Sequence, residues 1–315
     1  MPELPVEPAA PGRVLAIVGP TASGKSALAV AVARAMGTPA EIVSTDSMQV
    51  YRGMDIGTAT PTAGERDAVP HHLLDEWAPD HAVTVAEFQS RARAAIAGIQ
   101  ARGATAIVVG GSGLYVSAVL DDLRFPGTDP QVRERLEGEL RAEGAAAMHR
   151  RLAVVDPAAA EAILPTNGRR IVRALEVVEI TGRPFVARLP EPTAVIPAVR
   201  VGLEIPRDVL DARIEERVDR MWAAGFVDEV RTLEAQGLRS TPTASRALGY
   251  QQVLDYLAGE CSEEQARQAT VDATRRFARR QQRWFRRDAR ITWIDYDSPV
   301  AVADVVALWG SDTLT

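Results

Sequence analysis

The sequence predicts an α/β fold: a parallel sheet flanked by helices and interrupted by a mostly helical inserted subdomain. Three observations carry that prediction. Short, nearly continuous apolar runs alternate with stretches of helical periodicity, the pattern of parallel strands covered on both faces. The first of these runs ends in a glycine-bearing loop that opens a helix. Strand signals then vanish over residues 129–180, where Ala, Arg and Glu dominate at helical spacing.

In chain order, "MPELPVEPAAPG" (1–12) has no basic start and no apolar core, so it reads as a loose tail and not as a signal peptide. "RVLAIVG" (13–19) is a buried strand, and a helix follows from about Lys25 with Leu28, Val32 and Ala35 on one face. "EIVSTD" (41–46) is a second strand; "ATAIVVGG" (104–111) is a third, preceded by a helix over 85–101. The Pro- and Gly-rich "TGRPFVARLPEPTAVIP" (181–197) is the exit from the insertion, and "VRVGLEI" (199–205) resumes the sheet. Three helices are expected near 207–236, 245–258 and 262–289, the last opened by the capping-box pair Ser262 and Gln265. "ITWIDY" (291–296) closes the sheet. The expected division is a tail of 1–12, a core of 13–125 and 198–315, and a helical insertion of 126–197.

A chain of 315 residues, 46% hydrophobic and 25% charged, can bury a sizeable core. Its net charge of -6 rules out a general polycation, yet residues 275–290 hold eight Arg against one Asp. A basic stretch on an acidic body points to a polyanionic partner docked at one place. Cys261 is the only cysteine, which excludes an intrachain disulfide and a Cys-based zinc site. No apolar run approaches membrane-span length, so no membrane role and a cytoplasmic address are expected; a monomer is expected as well.

The chemistry starts at "GPTASGKS" (19–26). Gly19, Gly24, Lys25 and Ser26 match G-x-x-x-x-G-K-[ST] between a strand and a helix, making the core a P-loop sheet. Glycines let backbone amides curl around an oxyanion, and the helix N-terminus adds positive potential. Ser26 is placed to ligate a metal such as Mg²⁺. Lys25 is the only lysine in the chain, all other cations being Arg, and this is the position where a compact ammonium cannot be freely exchanged for a planar fork. The loop from Gly19 through Pro20, Thr21, Ala22, Ser23, Gly24, Lys25 and Ser26 therefore reads as a cradle for a di- or triphosphate. The third strand ends in glycines where a typical P-loop ATPase carries an Asp. The nearest acid is Asp46, at the tip of the second strand, which faces the same crevice. Asp46 suits either organising metal-bound water or accepting a proton, and a plain helix cap is the structural alternative.

Together, "GPTASGKS", "STDSMQVYRGMDIGTATP", "PHHLLD", "VGGSGLY", "GRRIVRALEV" and "RALGYQQ" resemble the tRNA dimethylallyltransferase family, in order, over about residues 13–296. The P-loop alone is generic; "DSMQVYRGMDIGTATP" beside "GGSGLY" is specific. The resemblance implies transfer of a dimethylallyl group from dimethylallyl diphosphate to the exocyclic amine of the adenine 3′ to the anticodon in tRNA, with Mg²⁺ assisting and diphosphate leaving. It implies Asp46 as the group that orients the amine and takes its proton, Thr21 as a hydroxyl contact to the diphosphate, and Arg217 of "RIEERV" as a further cation on it. Arg213 and Arg220 share a helix face with Arg217 and stand as substitutes. The family's tRNA contacts match Asp46, Ser47, Met48 and Gln49; Ser112; Arg133; Arg169, Arg170, Ile171, Val172 and Arg173; and Arg246, Ala247, Leu248, Gly249, Tyr250 and Gln251. Ser112 stands where Thr is commoner and Thr60 where many members carry Lys. The absence of a zinc-finger extension implies the compact bacterial type.

On spacing, Arg169, Arg170 and Arg173 suit phosphates or a surface stripe equally. Arg275, Arg279, Arg283, Arg286 and Arg290 make one helical stripe, with Phe277 and Trp284 as an aromatic seam turned to the core. His71 and His72 are adjacent and make a poor metal pair; Trp222 and Trp284 read as core. Three other functions remain open on the residues: an adenylate isopentenyltransferase, a small-molecule P-loop kinase, and a non-catalytic RNA-binding protein.

Overall fold

The computed structural model describes residues 12–186 and 191–311; the expected tail, apart from Gly12, and part of the Pro-rich exit lie outside the described residues. Strands β1 (Val14–Val18), β2 (Ala40–Ser44), β3 (His71–His72), β4 (Thr105–Gly110), β5 (Ala198–Glu204) and β6 (Ile291–Asp295) form one parallel sheet in the order β3-β2-β4-β1-β5-β6. β1 lies at the centre, Leu15 opposite Ile107 of β4 and Ile17 opposite Val201 of β5. Every residue of β1 is buried, as a strand with helices on both faces requires.

The alternation along β1 divides the core. Leu15 and Ile17 face α1 (Lys25–Ala35) and α13 (Ala301–Gly310), packing on Ala29, Val32, Ala33, Met36 and Val305. Val14, Ala16 and Val18 face a larger cluster. It draws on α3 (Val85–Ala101), α4 (Gly113–Leu120), α10 (Phe226–Ala235), α11 (Tyr250–Leu257) and α12 (Glu263–Phe285). Phe88, Ile96, Phe226, Tyr250 and Phe285 are its large members. Two further helices, α2 (Ala63–Ala68) and α9 (Arg207–Ala223), lie on the chain between these. No helix among the described residues is long and apolar enough to cross a membrane.

Several expectations shift. The buried residues of α1 are Ala29, Val32 and Ala33, followed by the buried C-cap residue Met36, while Ala35 is exposed. The helix expected over 207–236 is two, parted at Gly225, whose φ of 94° ends α9 and caps α10. α11 begins only at Tyr250, after a short 3₁₀ turn, and α12 stops at Phe285. β3 was not expected, since two residues carry no period, and neither was α13. Ser262 and Gln265 do form the capping box that opens α12.

The chain divides into two compact units, Asp122–Thr193 and the remainder. The smaller unit thus starts and ends a few residues earlier than the expected 126–197. It comprises α5 (Pro130–Glu143), α6 (Ala145–Val155), α7 (Pro157–Ala162) and α8 (Gly168–Thr181) around Leu136, Met148, Leu152, Ile171 and Leu175. Its fully buried Glu176 is held by Arg133 and Arg173, and Arg173 also donates to the carbonyls of Pro126 (2.6 Å) and Gly127 (3.1 Å).

In the larger unit a buried ion network replaces apolar packing at one place. Arg200, on β5 and only 5% exposed, donates to Asp121 Oδ1 at 2.7 Å and to Asp288 Oδ2 at 2.9 Å. Arg290 adds bonds to the same two carboxylates. Removing one partner of such a network strands a buried charge. Asp121→Ala is expected to lower the free energy of unfolding by about 3–5 kcal/mol, measured by urea titration.

Candidate functional site

The loop between β1 and α1 has the conformation a phosphate cradle needs. Ala22 (φ 63°) and Gly24 (φ 96°) are both left-handed, which turns successive amides inward ahead of the helix. Ser23 is fully buried beneath the loop, and Ser26 is exposed on the first turn of α1. Lys25 folds back over its own loop, donating from Nζ to the Pro20 carbonyl at 3.2 Å. Burial, then the nearby Arg217, bring its pKa down to about 8, with Asp46 partly opposing.

A small cavity of about 50 Å³ lies over this loop, lined by Thr21, Lys25, Ser26, Asp46, Thr58 and Arg217 among others. A larger cavity of about 310 Å³ lies beside it. Its apolar lining includes Met48, Val218, Met221, Leu248 and Phe277, and Ser112, Arg246 and Arg280 supply polar groups. Thr21, Asp46, Thr58 and Arg217 line both, so these four residues form the junction between the space over the glycine-rich loop and a largely apolar one. The larger is in the size range of small-molecule sites.

Each junction residue is held. Asp46 follows β2 and its Oδ1 accepts the Met48 amide at 2.8 Å, an Asx-type turn that fixes the carboxylate. Gln49 spans from Ser44 Oγ (2.9 Å) to the carbonyls of Thr58 and Ala59. Arg217 on α9 donates to the Thr58 carbonyl at 3.3 Å; burial lowers its pKa, and Asp46 opposes that shift. Thr21 is held by a residue the sequence did not single out: Gln281 of α12 accepts its amide at 2.9 Å. α12 reaches the loops because Gly111 and Gly113 carry no side chain. A Cβ at Gly111 would lie 2.4 Å from the Gln281 amide nitrogen, and one at Gly113 would lie 2.2 Å from the Trp284 ring. That close approach is the physical role of "GGSG".

Of the three arginines sharing the α9 face, only Arg217 lines the two cavities. Arg213 stacks on Tyr296 at 4.5 Å and reaches the Ser23 carbonyl (3.4 Å), while Arg220 bonds along its own helix to Glu216.

The residues matched to RNA contact separate into groups. Asp46, Ser47, Met48, Ser112, Arg246, Ala247, Leu248 and Gly249 line the larger cavity; Gln49 lines the smaller. Tyr250 does not: it is fully buried, its hydroxyl donating to Glu229 at 2.6 Å, and it holds the fold instead of offering a surface. Gln251 donates to Asp255 one turn along. In the smaller unit, the side chains of Ile171 and Val172 are buried in its core. Arg133 and Arg173 are bound to Glu176, whereas Arg169 and Arg170 are exposed.

The arginine stripe is shorter than the spacing implied. Arg275 pairs with Glu215, Arg286 follows the end of α12 and pairs with Glu204, and Arg290 lies beyond the helix in the buried ion network. Arg207, Arg276, Arg279, Arg280, Arg283 and Arg286 line a shallow open hollow. Phe277 is not in the core; it lines the larger cavity, with Arg280 5.6 Å over its ring. His71 and His72 form the β3 edge, His72 bonding Glu41 at 2.6 Å and His71 bordering the smaller cavity. No group of three or more His, Cys, Asp or Glu that could hold a metal occurs among the described residues.

A loop of the G-x-x-x-x-G-K-[ST] type at the carboxyl ends of a parallel sheet, opening into a second cavity, defines a P-loop α/β protein. The sequence matches the family described as IPP transferase over residues 49–288, and the chain belongs to that family. The tRNA dimethylallyltransferase of Thermobifida fusca is 61% identical, over 94% of this chain and 93% of that protein. That of Streptomyces avermitilis is 61% identical, over 91% of each. Among solved structures, the tRNA isopentenylpyrophosphate transferase of Bacillus halodurans aligns with a TM-score of 0.70 and 40% identity, covering 95% of both chains. A eukaryotic dimethylallyltransferase acting on tRNA has the same fold (TM-score 0.77, 24% identity, 91% of this chain and 74% of that one).

The lowered pKa of Lys25 has a measurable result. Below about pH 8 the amine is charged and attracts an anion; above it that charge is lost. Sulfate, whose own charge is constant there, is expected to bind more weakly as pH rises through about 8, by up to about tenfold per pH unit. Calorimetric titrations across that range check this, and Lys25→Met should remove the inflection.

Proposed function

We propose that this chain is a tRNA dimethylallyltransferase, transferring a dimethylallyl group from dimethylallyl diphosphate to the exocyclic amine of the adenine 3′ to the anticodon. The observation that carries the reading beyond family membership is the junction: Thr21, Asp46, Thr58 and Arg217 border both the phosphate cradle and the larger cavity. An electrophile with a diphosphate tail in one space then meets a nucleobase in the other beside a carboxylate.

The chemistry sets different demands on the two partners. Adenine's exocyclic amine is a poor nucleophile, because its lone pair is delocalised into the ring. An allylic diphosphate is a good electrophile once the leaving group's charge is offset, so most of the catalytic effect goes to that charge. The loop amides, the Lys25 ammonium, the Arg217 guanidinium and the Thr21 hydroxyl supply it. The amine nitrogen bonds to the allylic carbon as the carbon–oxygen bond breaks and diphosphate departs with the electron pair. Asp46 orients the amine and accepts its proton. The adenine leaves its stack to enter the larger cavity, at a cost of a few kcal/mol.

The donor set fits Mg²⁺. This ion keeps several waters and is usually bound through one or two protein oxygens plus substrate phosphates, not an all-protein cage. Ser26, exposed beside the cradle, would be the protein ligand. When bound, the ion would neutralise charge on the diphosphate. The protein acts as a monomer in the cytoplasm, and the exposed arginines of α12 face the RNA backbone. A kinase reading is disfavoured because β4 ends in glycine where a metal-binding Asp would stand.

Incubation with dimethylallyl diphosphate, Mg²⁺ and unmodified tRNA, AMP or ATP is expected to give prenylated tRNA alone, detected by mass. ATP turnover without prenyl transfer would refute the reading. Asp46→Ala is expected to lower kcat at least about a hundredfold, the scale of a general base. Its tRNA affinity, measured by filter binding, should stay near that of the parent chain.

A further inference from the structure

Glu229 borders neither cavity, yet its carboxylate gathers four donors. Oε2 accepts the amides of Asp55 (3.0 Å) and Ile56 (2.7 Å); Oε1 accepts the amide of Gly57 (3.2 Å) and the hydroxyl of Tyr250 (2.6 Å). Three consecutive amides converging on one side chain fix a turn from outside it. The turn is also pressed flat: a Cβ on Gly57 would lie 2.3 Å from the Phe226 ring and 2.5 Å from that of Tyr250. Those rings meet edge to face at 5.0 Å.

The next residue carries the consequence. The Thr58 carbonyl accepts from Arg217 at 3.3 Å and from Gln49 at 3.3 Å, and Thr58 borders both cavities. An unbroken chain of contacts thus runs from Glu229 through the 55–57 turn and the Thr58 carbonyl to the guanidinium of Arg217. Four donors need the acceptor capacity of a carboxylate; an amide in its place would turn an NH₂ toward an N–H or O–H.

We infer that Glu229, with the Tyr250 hydroxyl, is a positioning residue: it holds the 55–57 turn so that the Thr58 carbonyl aims Arg217 over the phosphate cradle. The inference rests on the reading of Arg217 as a diphosphate-binding cation. It assigns a purpose to Tyr250 that needs no RNA contact.

The test is a double-mutant cycle on binding of inorganic diphosphate with Mg²⁺, read by calorimetry, so it does not depend on prenyl transfer. Glu229→Gln is expected to weaken diphosphate binding about tenfold, with the thermal midpoint lowered by only a few degrees. Added to Arg217→Ala, it should weaken binding no further, because the group it aims is gone. In turnover, Glu229→Gln should raise KM for dimethylallyl diphosphate and leave KM for tRNA unchanged. Additive losses in the cycle, or unchanged diphosphate affinity in Glu229→Gln, would overturn the inference. Should Glu229→Gln not fold, Tyr250→Phe removes one donor and keeps the three amides. A smaller loss, again absent in the Arg217→Ala background, supports the inference, and an additive one overturns it. Failure of prenyl transfer in the parent chain, with the cycle still non-additive, would count against the proposed reaction and not against this positioning.

Discussion

How near α12 can come to the loops after β1 and β4 decides what the site can be. Gln281 reaches the Thr21 amide only because Gly111 and Gly113 leave room for it and for Trp284. The contact joins the phosphate loop, the "GGSG" turn and a helix whose other face carries exposed arginines. Thr21 is then fixed from behind while its side chain borders both cavities. A loop tethered this way is organised before a ligand arrives, and preorganised donors are what stabilise developing charge most effectively.

Charge is distributed by commitment more than by number. Most arginines that look alike in the sequence are already engaged: Arg133 and Arg173 on Glu176, Arg200 and Arg290 on Asp121 and Asp288, Arg275 on Glu215. Arg213 is taken up by the Tyr296 ring. On α12 itself the exposed arginines reduce to a short run, Arg276, Arg280 and Arg283. A basic stretch read from composition therefore overstates the surface available for phosphate contacts.

The sheet and the glycine-rich loop were legible because each is written locally. A fully apolar strand, a glycine-rich loop and a helix occupy consecutive residues, and the position of Asp46 at the end of β2 puts it beside that loop by the geometry of parallel sheets. The insertion was legible as a change of period. The rest depends on contacts between distant segments. Gln281 lies among arginines in sequence, and nothing local marks it as the partner of a residue 260 positions away. Phe277 and Trp284 share a helical stripe, yet one faces a cavity and the other packs on Gly113. Tyr250 and Ile171 sit inside motifs that read as surface, and their burial is a matter of which face of a helix is covered. Gly225 splits one expected helix in two because a left-handed residue ends it, which periodicity alone does not register.

Having a single lysine gives the cradle a chemical singularity. The chain carries one side-chain amine, and its surroundings bring that amine's pKa down to about 8. At neutral pH about a tenth is then the free base, the form that reacts with electrophiles, against a far smaller share for an ordinary lysine. Acylating reagents that spread over dozens of sites on most proteins are directed here to one, apart from the chain terminus. Occupancy of the cradle becomes visible as shielding of a lone reactive nitrogen.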